Sequence, residues 1–116
     1  MADLPWTYVP RLPNATFMLT PLNRPSILVV YSPSCGPSQR AQVEIDAAVR
    51  ASKVLQGRVW HYNAQTPEAR ALLRDAYKVN ITYFPTALVF RGTSQCEVYE
   101  YKDQFTAQMM ERALKS

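Results

Sequence analysis

The sequence predicts one α/β domain in which helices flank a central mixed β-sheet, and three observations carry that prediction. The chain has 116 residues, 47% hydrophobic and 19% charged, which suits a single compact domain that buries a core without disulfide staples. Strand-like and helix-like apolar patterns follow one another in the order β-α-β-α-β-β-α. The early strand–helix–strand unit calls for a parallel, right-handed crossover and the late pair of strands for an antiparallel hairpin, so the sheet is mixed.

Residues 1–15, with Leu4, Pro5, Trp6, Pro10 and Pro13, read as an irregular lead-in, and residues 16–116 as the domain. A short helix or turn is expected from Thr16 to Leu22, ending at Pro21. Ile27 to Tyr31 is continuously apolar and β-branched, as a strand buried on both faces should be. Ser32-Pro33-Ser34-Cys35-Gly36-Pro37 breaks it, and Pro37 suits a first helical turn, where its missing N–H costs nothing. From Ser38 to about Gln56, Ala41, Ile45, Ala48, Val49, Ser52 and Leu55 recur at helical spacing, with Gly57 as the stop. Val59 to Asn63 is a second strand. Thr66 caps and Pro67 opens a helix to about Tyr77, with Ala69, Leu72, Leu73 and Ala76 inward. Thr86 to Phe90 is a third strand, Arg91 to Ser94 a turn, and Glu97 to Tyr101 an alternating edge strand. Gln104 to Lys115 closes the chain as an amphipathic helix, with Phe105, Met109 and Ala113 inward and Met110 and Leu114 flanking.

The net charge is +4, but its carriers (Arg11, Arg24, Arg40, Arg50, Lys53, Arg58, Arg70, Arg74) are scattered rather than gathered in the patch that nucleic acid requires. They read as a solvated surface favouring anionic partners. The longest apolar run is far too short to span a bilayer, and no secretory h-region is visible. A soluble, cytoplasmic protein is therefore expected, or a secretory one if a leader has been removed. Asn14-Ala15-Thr16 and Asn80-Ile81-Thr82 match the glycosylation pattern, which has meaning only in a secretory compartment. The two cysteines, Cys35 and Cys96, make no disulfide framework. With the single His61 they make no metal-ligand set either, so no metal and no organic cofactor is expected. His61, mid-strand between Trp60 and Tyr62, reads as a packed or surface residue, and the Met109-Met110 pair as helix packing.

Three features point to chemistry. Cys35 stands where a buried strand meets a helix N-terminus, whose free N–H groups and dipole favour negative charge and hence a nucleophilic thiolate. Ser38, one helical turn on, is expected to bring its hydroxyl beside the sulfur. Phe84-Pro85-Thr86 sets a proline directly before a strand, a candidate cis peptide, at the sheet edge where Cys35 also lies. Cys96 sits at the far end of that strand. About five residues at ~3.3 Å each separate it from Cys35 by roughly 15 Å, beyond the ~7 Å between Cα atoms that a disulfide tolerates. Cys96 thus remains available only for a link between two chains.

Tyr31-Ser32-Pro33-Ser34-Cys35-Gly36-Pro37-Ser38 resembles the active-site segment of thioredoxins and protein disulfide isomerases, and Val79 to Phe90 resembles their cis-proline segment and following strand. The likeness runs from about Thr16 onward and implies a thioredoxin fold. It implies that Cys35 is the attacking cysteine and that Pro85 shapes a groove. By the same likeness, the Phe84 backbone pairs with an extended substrate strand, Phe84-Pro85-Thr86 holds the partner backbone, Gly36 and Pro37 line the floor, and Ser34 is a further substrate-binding residue. The departures have consequences of their own. Ser38 replaces the second cysteine of the motif, Ser34 replaces the usual tryptophan, Val29 replaces the buried acid, and Val43 replaces the mid-helix proline before Glu44.

A dithiol releases its substrate because the second sulfur resolves the mixed disulfide. With Ser38 in that place, release needs an outside thiol, so glutathione is the expected co-substrate. Protein or glutathione thiols and disulfides are the expected partners. The first reading is a monothiol thiol–disulfide oxidoreductase or isomerase, with Ser38 tuning the thiolate. The alternatives are a thioredoxin-fold binding module without turnover, in which Cys35 is structural, and a dithiol enzyme trapped by a serine in place of the cysteine at position 38. Natural partner and oligomeric state are not legible.

Overall fold

The computed structural model describes residues 3–19, 25–91, 96–99 and 105–115. After a 3-10 turn at Phe17–Leu19 come β1 (Ser26–Tyr31), α1 (Gly36–Ala51), β2 (Val59–Asn63), α2 (Pro67–Tyr77), β3 (Thr86–Phe90), β4 (Cys96–Tyr99) and α3 (Ala107–Lys115). The expected turn at Gly92 to Ser94 and the end of the edge strand lie outside the described residues, and the last helix, expected from Gln104, starts at Ala107, after Phe105 and Thr106.

The four strands form one sheet in the order β2-β1-β3-β4. β1 and β2 run parallel, Ile27 opposite Val59 and Tyr31 opposite Asn63. β1 and β3 run antiparallel, Ser26 opposite Phe90 and Val30 opposite Thr86, and β3 and β4 are antiparallel with Phe90 opposite Cys96. A mixed sheet follows, as the element order requires.

The continuous apolar run of β1 has its cause in two cores. Ile27 and Val29 join Val59, Ala87 and Val89 on one face, beneath Ile45 and Val49 of α1 and Met110, Ala113 and Leu114 of α3. Leu28 and Val30 join Leu88 and Phe90 on the other, beneath Leu73 and Tyr77 of α2. Residues one apart on a strand point to opposite faces, so covering both faces demands an unbroken apolar stretch.

Residues 3–12 are irregular but not detached. Val9 enters the first core and Leu12 the second, and Arg11 makes a parallel bridge to His61 on the outer side of β2. Asp46, buried on α1, accepts hydrogen bonds from the backbone N–H groups of Thr7 (2.9 Å) and Tyr8 (2.7 Å). Four residues earlier on the same helix, Gln42 donates to the Pro5 carbonyl.

Three local expectations are corrected. The first helix ends at Ala51, not Gln56. Ser52 turns extended and its hydroxyl accepts from the Leu55 N–H, a local bond that competes with helix continuation. Leu55 still returns to the core, which is why its spacing mimics a helix. Leu72 is 53% exposed, and Leu73 and Tyr77 are the residues of α2 that are buried. On α3 the inward stripe is Met110, Ala113 and Leu114, with Met109 37% exposed. Phe105 precedes the helix and so does not set its phase.

Candidate active site

β1 delivers the chain to a tight loop that places Cys35 as the N-cap residue of α1, with extended backbone angles (φ −89°, ψ 124°). The Cys35 N–H donates to the Ser32 carbonyl (3.1 Å), and the Cys35 carbonyl accepts the first helical bond from the Gln39 N–H (3.0 Å). Gln39 Nε2 donates to the Pro33 carbonyl (2.8 Å), and the Ser32 and Ser34 hydroxyls are 3.1 Å apart. The thiol therefore sits on a backbone fixed from both sides while remaining part-exposed.

The start of α1 has an unusual chemical make-up. The cap side chain makes no cap hydrogen bond, Pro37 sits in the first turn, and that turn holds no acidic residue. The partial positive charge of the helix end is thus uncompensated by the protein next to the sulfur.

The second arm comes from the chain before β3. The Phe84–Pro85 bond is cis. Pro85 and Thr86 are buried, and the Thr86 hydroxyl donates to the Tyr83 carbonyl (2.7 Å). Phe84 is half-buried against the second core. Its carbonyl oxygen lies 3.8 Å from Cys35 Sγ and accepts from the thiol. Cys35 and the Phe84-Pro85-Thr86 segment, 49 residues apart in sequence, thus meet.

Ser34 and Pro37 are exposed and Gly36 is half-buried beside the thiol. Ser38 is the exception to expectation. It is 1% exposed, and its hydroxyl accepts from the Ser32 N–H (3.3 Å). Among the described residues no hydrogen bond joins it to Cys35 Sγ. The hydroxyl closes the loop by taking up the Ser32 N–H, which the strand-to-helix turn leaves without a ladder partner. Val29 is buried in the first core, so no ionisable side chain occupies that interior position. Cys96, paired in backbone register with Phe90, lies across from Ser26, at the opposite end of β1 from the loop that carries Cys35.

His61 is packed, as its mid-strand place implies. Its Nδ1 lies 3.0 Å from the Val9 carbonyl and so donates to it. Its ring stacks on Trp6 at 4.7 Å. Burial holds the imidazole below its ordinary pKa, against the opposing effect of that carbonyl. Burial, then the hydrogen bond to Asp3, pushes the Tyr31 phenol above its own. Among the described residues no group of three His, Cys, Asp or Glu could hold a metal, and no helix is long and apolar enough to cross a membrane. A shallow recess of about 300 Å³ between α1 and α3 is lined by Glu44, Ala47, Ala48, Phe105, Thr106 and Ala107 and does not include Cys35.

The sequence reading missed Asp46, which ties residues 7 and 8 to α1. Asp46 had a signal: with Gln42 it forms a polar i, i+4 pair bordering the apolar stripe of α1.

No protein-family model matches the chain, and no curated protein matches it. Solved structures do. The Trx4 domain of ERdj5 superposes with a TM-score of 0.61 over 96% of this chain and 95% of that one, at 18% identity. The J-Trx1 fragment of ERdj5 gives a TM-score of 0.65 over 91% of this chain at 14% identity. Zinc-bound human ERp44 gives 0.62 over 94% at 16% identity. The chain spans 52% of the J-Trx1 fragment and 30% of the ERp44 chain. Likeness at these identities fixes the fold.

Proposed function

We propose, with the thioredoxin fold of the chain as the premise, that the protein carries out thiol–disulfide exchange through Cys35 as a monothiol. The observation that carries the reading is the meeting of Cys35 Sγ with the Phe84 carbonyl, 3.8 Å apart, at an uncompensated helix N-terminus. The thiolate attacks one sulfur of a partner disulfide. That S–S bond breaks, a Cys35–sulfur bond forms, and the released thiolate takes a proton from water. The Phe84-Pro85-Thr86 segment before β3 holds the partner backbone, with Ser34, Gly36 and Pro37 forming the floor beneath it. Ser38 acts on the reaction by fixing the loop through Ser32. A hydroxyl cannot resolve a mixed disulfide, so a second thiol, glutathione or a partner cysteine, must release the product.

The test is intact-mass analysis after incubation with glutathione disulfide. A single glutathione adduct on Cys35, absent from Cys35→Ser and removed by added glutathione with multiple turnovers on a glutathionylated peptide, supports the reading. Partner capture with no turnover at any glutathione concentration would replace the enzyme by a binding module.

A further inference from the structure

We infer that Arg40 selects disulfides that carry a carboxylate close to the sulfur. This rests on the mixed-disulfide reading of Cys35 and names the substrate class of that site. A Cβ placed on Gly36 would lie 3.5 Å from Arg40 Nη1. The guanidinium therefore folds back along α1 to the residue that follows the nucleophile. A cation there stands against the helix dipole, which favours basic side chains at the other end. Nothing described within the protein offsets it. The first turn has no acidic residue, and among the described residues Arg40, itself exposed, makes no ion pair or hydrogen bond. Gln39, its neighbour, is by contrast committed to the Pro33 carbonyl.

With no internal partner, that guanidinium is open to an anion that the substrate brings. The planar fork of a guanidinium matches a carboxylate in two parallel hydrogen bonds. Bound there, a carboxylate would hold the partner's sulfur next to Cys35. The exchange is unchanged: one S–S bond breaks, one forms, and a thiolate leaves. Two sources offer this chemistry, glutathione and a protein cysteine flanked by Asp or Glu.

The experiment measures the rate of mixed-disulfide formation at Cys35 with three small disulfides: dianionic dithiodipropionate, neutral hydroxyethyl disulfide and dicationic cystamine. Each rate is divided by that of a free cysteine peptide, which removes differences in leaving group. The expected order is anion, neutral, cation, with the anion about two- to fivefold ahead of the neutral compound at low salt. The advantage should shrink toward about 0.5 M salt. Arg40→Gln should bring the anion-to-neutral ratio to about one, and Arg40→Lys should keep part of it. Glutathione disulfide and the disulfide-linked dimer of an acidic peptide, run alongside, tell the two sources apart, and Arg40→Gln must slow the faster of them.

A ratio of one in the unaltered protein overturns the inference. So does an Arg40→Gln variant slowed equally on all three compounds, which would place the guanidinium's effect on the sulfur instead. In both cases Cys35 still reacts and the exchange reading stands. No reaction with any compound overturns both.

Discussion

At the scale of single residues, the site combines a part-exposed thiol with a hydroxyl that holds the loop. Ser38 is buried and takes up the Ser32 N–H. Ser38→Ala leaves that N–H unsatisfied, which should cost on the order of 1 to 3 kcal/mol in denaturant unfolding. If Ser38 only tuned the thiolate, stability would be unchanged. Ser38→Cys has a different expected outcome. Residues three apart on a helix have Cβ atoms about 5 to 6 Å apart, within reach of a disulfide after small shifts. The mixed disulfide should then resolve internally, and stopped-flow release without added thiol should appear where the unaltered protein shows none.

The placement of Cys35 was legible, since a cysteine between a buried strand and a Gly-Pro helix start is a local feature. The partner of Ser38 was not, because which N–H that hydroxyl takes up depends on how the loop between β1 and α1 folds back.

At the scale of elements, the N-terminal segment is held to α1 and β2 by a few polar contacts. Asp46 receives two backbone N–H groups. Asp46→Ala should lower stability by about 1 to 3 kcal/mol and change Trp6 fluorescence, since Trp6 lies in the tethered stretch. His61 adds a pH dependence of definite sign. Its pKa is lowered in the folded protein, so between that value and the unfolded value of about 6.5 the unfolded chain binds more protons. Stability should therefore be full above about pH 6.5 and fall as pH drops below it. Of the charged groups that act on the ring, Arg11 adds to the lowering by burial, while Asp3 and Asp46 oppose it and are outweighed. Comparing melting temperatures from pH 7.5 downward, His61→Phe should flatten this part of the profile; an equally steep profile would contradict the assignment.

The same scale shows where periodicity misleads. Leu72 and Met109 each lie one residue from the buried stripe of a short helix. Their apolar character placed them inward, but the sheet-facing arc is narrow and takes Leu73 with Tyr77, and Met110 with Leu114. Leu55 kept a helical spacing through a turn.

At the scale of the whole molecule, the arrangement of strands was legible because it follows from constraints that act along the entire chain. β1 is apolar from Ile27 to Tyr31 because both faces are covered, and a parallel β1–β2 pair needs the intervening helix. The convergence of Cys35 and Phe84 is a product of that topology, since the loop after β1 and the entry to the antiparallel β3 share one end of the sheet. Segment 3–12 was less legible. Its prolines forbid regular structure, yet Val9 and Leu12 enter opposite cores and Asp46 supplies the backbone partners. Nothing in a proline-rich stretch announces a carboxylate more than thirty residues away.

The central claim is that folding makes Cys35 a nucleophile. The most direct measurement is the alkylation rate of Cys35 at pH 7, read by peptide mapping, in the native protein and in the chain unfolded by denaturant. The native thiol, though part-covered, should react faster than the unfolded one, with Cys96 as the internal comparison. A native rate equal to or below the unfolded rate would contradict it, and Cys35 would then be a structural cysteine in a thioredoxin-fold binding module.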